Sequence, residues 1–234
     1  MVDFHSHILP GIDDGSPDIE TSLLLLEEEK KQGVDTIVFT PHFYPDRNTI
    51  DDFLRKRDEA FIKLQSAEGN ENFPKFIPGA EVALTYEVPK LPDLEKLCIC
   101  GTNLILIELP YHTYNEWVLN ALFEISARGL HPVIAHFERF VTFEFFKALY
   151  EKILAMNFDI QINASFIFSR KEMKFLKTLI KQGYIPVLGS DVHNTTSRFI
   201  HLEEARRVVK KKFKDEILQK INNKPYELLE KHRN

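Results

Sequence analysis

Short apolar runs rich in β-branched side chains alternate along the chain with longer stretches whose apolar positions recur every three to four residues. That alternation is the pattern of βα units feeding a parallel sheet. Seven runs read as strands: Val2 to Phe4, Thr36 to Thr40, Lys75 to Pro78, Leu104 to Ile107, Pro132 to Ala135, Phe158 to Ile162 and Ile185 to Leu188. Between them the signals are helical. Ser16 as cap, Pro17 at the first helical position and Asp18 beside the positive dipole end predict a helix running to Gly33. Asn115 is expected to cap a helix bearing Val118, Ala121, Leu122 and Ile125 on one stripe and closed by Gly129. Thr142 is expected to cap another, bearing Phe145, Phe146, Leu149, Ile153 and Leu154. Further helical patterns cover Asp51 to Ser66, Lys171 to Gln182 and Ile200 to Phe213, and Ala67 to Pro74 reads as a flexible loop.

With 234 residues and 44% hydrophobic content, the chain can bury one sizeable core, and a single domain spanning 1–234 is expected. A net charge of −5 and a pI near 6.0 disfavour nucleic acid as a partner. The basic run Arg206 to Lys212 reads as a solvated helix face with Val208 and Val209 turned inward. Cys98 and Cys100 lie two apart, so on any strand their side chains share a side and do not face each other; both are expected to be reduced core residues. No stretch approaches the roughly 20 apolar residues of a membrane span, and the opening Met-Val-Asp-Phe-His lacks a leader pattern, so a cytoplasmic protein without membrane insertion is expected.

The chemistry sits where the strand-like runs end. Five histidines and four carboxylates fall there: His5, His7, Asp14, His42, Glu81, Glu108, His136, Asp191 and His193. In a β/α barrel the C-terminal strand ends converge on one face, so residues far apart in sequence become neighbours. Alternation along a strand points His5 and His7 the same way. They lead into Leu9-Pro10-Gly11-Ile12-Asp13-Asp14-Gly15-Ser16, a glycine-punctuated turn holding two acids; both could be turn residues, but their nearness to the histidines favours one as a ligand. Pro41-His42, Gly79-Ala80-Glu81 and Glu108-Leu109-Pro110 each deliver one candidate, His136-Phe137-Glu138-Arg139 follows the fifth run, and Ser190-Asp191-Val192-His193-Asn194 follows the seventh. Arg139 presents a planar donor fork suited to phosphate oxygens; its competing reading is a salt bridge with Glu138 or another acid.

Taken in order through nearly the whole chain, these motifs resemble the PHP (polymerase and histidinol phosphatase) superfamily. They are most similar to its bacterial metal-dependent protein tyrosine phosphatases associated with capsule and exopolysaccharide systems. The string His5-Ser6-His7-Ile8-Leu9-Pro10-Gly11-Ile12-Asp13-Asp14-Gly15 is the most specific part. The resemblance implies an α/β fold, a distorted (β/α)7 TIM-like barrel with three divalent ions in its mouth, commonly manganese, with iron and zinc as alternatives. By the same resemblance His5, His7, Glu81 and Asp191 hold the first ion; Glu81 bridges to a second bound also by Glu108 and His136; Asp14, His42 and His193 hold the third; and Arg139 is the catalytic, phosphate-binding arginine. The implied partner is a phosphotyrosine-bearing protein, a bacterial tyrosine kinase. Two departures bear on pocket shape: Phe137 stands where the family usually has proline, and Phe140 where it usually has tyrosine. Asn163-Ala164-Ser165-Phe166 follows the family's small-residue loop only loosely.

Elementary chemistry is compatible with this. A donor set of nitrogen and oxygen without thiolate suits Mn, Fe or Zn. Three divalent ions facing four carboxylates would leave roughly +2, matched to a phosphate dianion, and a metal-bound hydroxide could attack phosphorus in line. Phenolate leaves readily, which favours an aryl phosphate, and Phe43, Tyr44, Tyr111, Phe137 and Phe140 adjoin the ligand segments as a slot for the tyrosyl ring or as ordinary rim packing. Two other readings share the same metals: a small-molecule phosphomonoesterase acting on a histidinol-phosphate-like or sugar-phosphate substrate, and a non-catalytic interaction module.

Overall fold

The computed structural model describes residues 1–67, 73–110, 116–141 and 147–233. The expected caps Asn115 and Thr142, the stripe residues Phe145 and Phe146, and most of the expected loop after Ala67 lie outside the described residues. Among the described residues every paired strand is parallel. Strand β1 (Val2–Ser6) pairs with β2 (Thr36–Phe39), which pairs with β4 (Lys75–Pro78). A second sheet runs in the order β3 (His42–Phe43), β5 (Glu81–Ala83), β6 (Leu104–Glu108), β7 (His131–Ile134), β8 (Asp159–Asn163) and β9 (Val187–Gly189). Two of the expected runs are thus each continued by a further short strand: the chain steps at Thr40-Pro41 and at Gly79-Ala80, and β3 and β5 resume in the other sheet. These steps bring His42 and Glu81 to the head of a new strand.

The sheet curls until its last strand meets its first. Ser6 and Val192 form a parallel bridge, the Asp191 N–H donates to the His5 carbonyl at 2.8 Å, and the His7 N–H donates to the Val192 carbonyl at 3.0 Å. The result is a mixed α/β fold built on a curled parallel sheet. Alternation along each strand divides its side chains between two cores. Leu104, Leu106, Val133 and Ala135 pack with Val2, Phe4, Val38 and Val187 inside the curl, while Ile105, Ile107 and Ile134 face the helices.

Around the sheet lie α1 (Ile19–Lys31), α2 (Ile50–Gln65), α3 (Trp117–Ala127), α4 (Lys147–Ala155), α5 (Arg170–Lys181), α6 (Leu202–Lys212) and α7 (Asp215–Lys231). The cap of α1 is Asp18, whose side chain accepts from the Thr21 N–H; Ser16, expected in that role, instead hydrogen-bonds Ser22 and the Asp18 carbonyl. Helix α6 carries Val209 buried and Val208 half-buried beneath its basic face, as its spacing implies. Helix α7 has no counterpart among the expected elements. It sends Leu228 into the inner core, with Leu229 beside it, and so closes the base of the curl. Cys98 is buried but Cys100 is exposed, correcting the expectation of two core thiols: both sit in a turn after a 3-10 helix, where strand alternation does not apply.

Candidate metal centre

All nine expected ligands meet at the C-terminal ends of the strands. Glu81 stands in the middle. Its Oε2 lies 3.3 Å from His5 Nε2, 3.4 Å from His7 Nε2 and 2.9 Å from His42 Nδ1, and its Oε1 lies 2.9 Å from His136 Nε2. Asp191 Oδ1 is 3.7 Å from His5 Nε2 and 3.5 Å from His7 Nε2. Asp14 Oδ1 is 3.4 Å from both His42 Nε2 and His193 Nε2, and Glu108 Oε1 is 4.0 Å from His136 Nε2. His5, His7 and Glu81 are fully buried, whereas the Asp14 side chain is 65% exposed, so the centre opens to solvent on the Asp14 side.

Hydrogen bonds fix which nitrogen four of the five imidazoles present. His7 Nδ1 donates to Asp13 Oδ2 at 2.7 Å, and His193 Nδ1 donates to the Asp191 carbonyl at 2.9 Å. His5 Nδ1 bonds Gln161 Oε1 at 3.1 Å, and His136 Nδ1 bonds Asn163 Oδ1 at 3.1 Å. The amide orientations follow from the rest of the network: Gln161 Oε1 also takes the His136 N–H, Gln161 Nε2 donates to Asn163 Oδ1, and Asn163 Nδ2 donates to Asp191 Oδ2 at 2.8 Å. In all four rings Nδ1 therefore donates outward and Nε2 is left to face the centre. Metal-ligating histidines are held in this way.

Two of these side chains are aimed by strained backbone. His136 and Asp191 have φ of 51° and 53°, a left-handed conformation that costs a non-glycine residue on the order of 1–2 kcal/mol. Gln161 and the His5 carbonyl hold their N–H groups in place. Two glycines make room for the first two histidines: a Cβ at Gly15 would stand 2.6 Å from His7 Cβ, and one at Gly189 2.5 Å from His5 Cβ.

The electrostatics call for positive charge. Burial pushes His7 toward neutrality, yet Asp13 and Glu81 outweigh it and lift its pKa to about 10. Burial opposes ionisation of His136 too, and Glu81 lifts it to about 9. Glu81 and Asp191 are held well below the usual carboxylate range despite burial, because His5 and His136 face them. His193, buried and beside a cationic His7, is pushed down to about 4. Both Glu81 oxygens, Asp191 Oδ1, His42 Nδ1 and His193 Nε2 are buried and make no aligned hydrogen bond among the described residues, although the N···O contacts among them are short. Donor atoms crowded this closely around one buried space fit divalent cations.

Two arginines border the centre. Arg139 Nη1 lies 2.7 Å from Glu108 Oε1, so an acid of the centre itself pairs with it. Arg198, absent from the sequence expectations, lies 2.7 Å from Asp191 Oδ2 and 3.8 Å from Asp14 Oδ2. Its signal was Asn194 just after His193: the Asn194 side chain accepts from the N–H groups of Thr196, Ser197 and Arg198 and folds that loop back over the centre. Gln161 and Asp13 were also missed as positioning residues; Gln161 was detectable as a polar position alternating with Ile160 and Ile162. Of the expected slot aromatics, Tyr44 stacks on His42 at 5.1 Å, and burial together with the charges of Glu108, Glu81 and Asp14 raises its hydroxyl to about 12. Phe43, Phe137 and Phe140 are buried core residues, and Tyr111 lies outside the described residues.

Residues 1–230 match the family model described as capsular polysaccharide synthesis, CpsB/CapC. The chain is 28% identical over 227 residues to the tyrosine-protein phosphatase YwqE of Bacillus subtilis, covering 93% of this chain and 87% of that protein. It is 30% identical over 230 residues to the tyrosine-protein phosphatase CpsB of Streptococcus pneumoniae, covering 91% of each. A crystal structure from the pair YwqE and CpsB, described as unique metal-dependent tyrosine phosphatases, superimposes with a TM-score of 0.82 at 26% identity, over 99% of this chain and 95% of that one.

Proposed function

The chain belongs to the capsular polysaccharide synthesis family CpsB/CapC, and from that premise we propose that it is a metal-dependent protein tyrosine phosphatase. The observation that carries this reading is the inward-facing Nε2 set of His5, His7, His136 and His193 gathered with Glu81, Asp14 and Asp191.

We assign His5, His7, Glu81 and Asp191 to one ion, Glu81, Glu108 and His136 to a second, and Asp14, His42 and His193 to a third. The two Glu81 oxygens, one toward His5 and His7 and the other toward His136, support a bridging role. The oxygen-rich donor set favours manganese. When bound, such cations lower the pKa of water and stabilise charge on the phosphoryl oxygens. Arg139, paired with Glu108 at the exposed edge, would supply a planar donor fork to phosphate oxygens if Glu108 served as a metal ligand. Tyr44 offers a ring beside His42 for the substrate's aromatic side. A phenolate leaves without a strong general acid, which fits phosphotyrosine.

The same reading takes the curled sheet as a distorted seven-unit β/α barrel, supported by the contact of β9 with β1, and takes residues 1–234 as one domain, supported by the family match over 1–230. Its substrate would be a phosphotyrosine-bearing bacterial kinase. A cytoplasmic site of action agrees with the observation that, among the described residues, no helix is long and apolar enough to cross a membrane. The test is hydrolysis of a phosphotyrosine peptide and of an alkyl phosphate by manganese-loaded and chelator-treated protein. Metal-dependent turnover of the aryl ester, at least tenfold faster than the alkyl ester, is expected. Preference for the alkyl ester would favour a small-molecule phosphoesterase.

A further inference from the structure

At the opposite end of the curled sheet, three metal-ligating side chains meet where β7 and β8 begin and α7 ends. His131, Asp159 and His232 each offer one ligand atom, all within 4.8 Å of one another. His131 Nε2 lies 2.8 Å from Asp159 Oδ2, and the His131 and His232 rings lie 4.2 Å apart at 36°. The His131 and Asp159 side chains are 20% and 14% exposed, so an ion can reach them from solvent.

The hydrogen bonds define the state of His232. Asn103 Nδ2 donates to the Gly129 carbonyl at 2.7 Å, which leaves Asn103 Oδ1 facing His232 Nδ1 at 2.9 Å. An amide oxygen only accepts, so Nδ1 carries the proton and Nε2 bears a free lone pair. That Nε2 is buried and has no hydrogen-bond partner among the described residues. A buried nitrogen lone pair without a donor is a cost that packing alone does not explain. Burial and the neighbouring His131 push His232 toward its neutral form, so the lone pair is available at neutral pH. Despite burial, hydrogen bonds from His131 and Lys224 keep Asp159 ionised, and Lys224 engages the other carboxylate oxygen, Oδ1, at 2.7 Å.

From this geometry we infer that His131, Asp159 and His232 form a second metal site, taking a zinc-class divalent cation and pinning the end of α7 to the base of the sheet. Two imidazoles and one carboxylate form a borderline donor set, with positions left for water. His232 already has the outer-shell arrangement of a ligand, its far N–H held by an amide oxygen that Gly129 fixes. The ion takes the place of the proton between His131 Nε2 and Asp159 Oδ2, and the imidazole proton moves to Nδ1. Metal–ligand bonds of about 2.0–2.1 Å would open that N···O separation to about 3.3 Å, a small adjustment for side chains at the surface. The site is independent of the phosphatase centre because none of its residues belongs to the nine ligands above.

The test uses full-length protein loaded with manganese, equilibrated with zinc and desalted, with total transition metal counted per chain by elemental analysis. Wild type is expected to hold one ion more than His232→Gln and one more than His131→Gln, while both variants keep aryl-phosphate turnover within twofold of wild type. Zinc should also raise the melting temperature of wild type and not that of His131→Gln. Equal ion counts in wild type and either folded variant would overturn the inference. If His232→Gln fails to fold, the ion count and the zinc-dependent melting shift of His131→Gln decide the matter alone.

Discussion

The Asp13 carboxylate accepts a hydrogen bond from His7 Nδ1 at 2.7 Å and another from the His42 N–H at 3.0 Å, while the adjacent Asp14 points to the other side of the turn, toward His42 Nε2 and His193 Nε2. Two neighbouring acids thus have separate tasks. Asp13, its pKa held down to about 2 against burial chiefly by His7, orients the His7 ring; Asp14 is a ligand candidate. Asp13→Asn should weaken metal binding about 10–100-fold and leave activity recoverable at high metal. Asp14→Asn should lower the bound-metal count and not recover. Metal titrations followed by elemental analysis separate the two; matching behaviour would contradict the division.

Arg139 and Arg198 each meet a carboxylate of the centre, and both side chains are about two-fifths exposed at its edge. A guanidinium at such an edge stabilises charge that grows on phosphoryl oxygens, so Arg139→Ala should lower kcat/KM for an aryl phosphate by about 10²–10³. Its metal content should not change. Arg198→Ala should lower kcat/KM as well, with a smaller effect when metal is saturating, because part of its role is to steady Asp191. Full activity in Arg139→Ala would remove that residue from the mechanism.

The nine candidate positions were legible because they follow apolar runs, Asp14 in the turn after the first, and the parallel topology brings such ends together whatever their sequence separation. The residues that orient them were less visible. Gln161 lies in the middle of an ordinary strand and acts through hydrogen bonds to β1 and β7, a relation that only the sheet order creates. Helix α7 was hidden for a local reason: Asn222, Asn223 and Pro225 interrupt its pattern, and an interior proline costs a helix about 3 kcal/mol. Burial of Ile221, Pro225 and Leu228 against the base of the sheet overrides that local preference.

Glu29 of α1 is fully buried beside Asp3, whose carboxylate accepts from the Ser190 hydroxyl at 2.6 Å. Burial first, and then the charge of Asp3, raise the Glu29 pKa well above the usual carboxylate range. A carboxyl whose pKa is raised on folding binds its proton more tightly in the native state. The stability it brings is present below the unfolded pKa of roughly 4.3 and is lost as pH rises through the folded value. Glu29→Gln removes that titration while keeping the shape. It should therefore be more stable than wild type at alkaline pH, with the gap narrowing as pH falls toward the unfolded pKa. Denaturant melts across this range would show it, and a gap that stays constant with pH would assign the effect to packing.

Phe137 replaces the proline expected beside His136, and its position decides what that departure does. The ring is fully buried, 5.0 Å from Phe140 in an edge-on contact and 6.2 Å from Phe175. It points into the core between the sheet and the helices, away from the imidazole cluster. The substitution is thus compensated within the packing and need not reshape the mouth. Phe137→Ala should cost about 3–5 kcal/mol of stability through the cavity it leaves. The milder Phe137→Leu should lower the melting temperature, yet leave KM for a phosphotyrosine peptide within twofold of wild type and the metal count unchanged. A large rise in KM with unaltered stability would instead place this ring at the substrate.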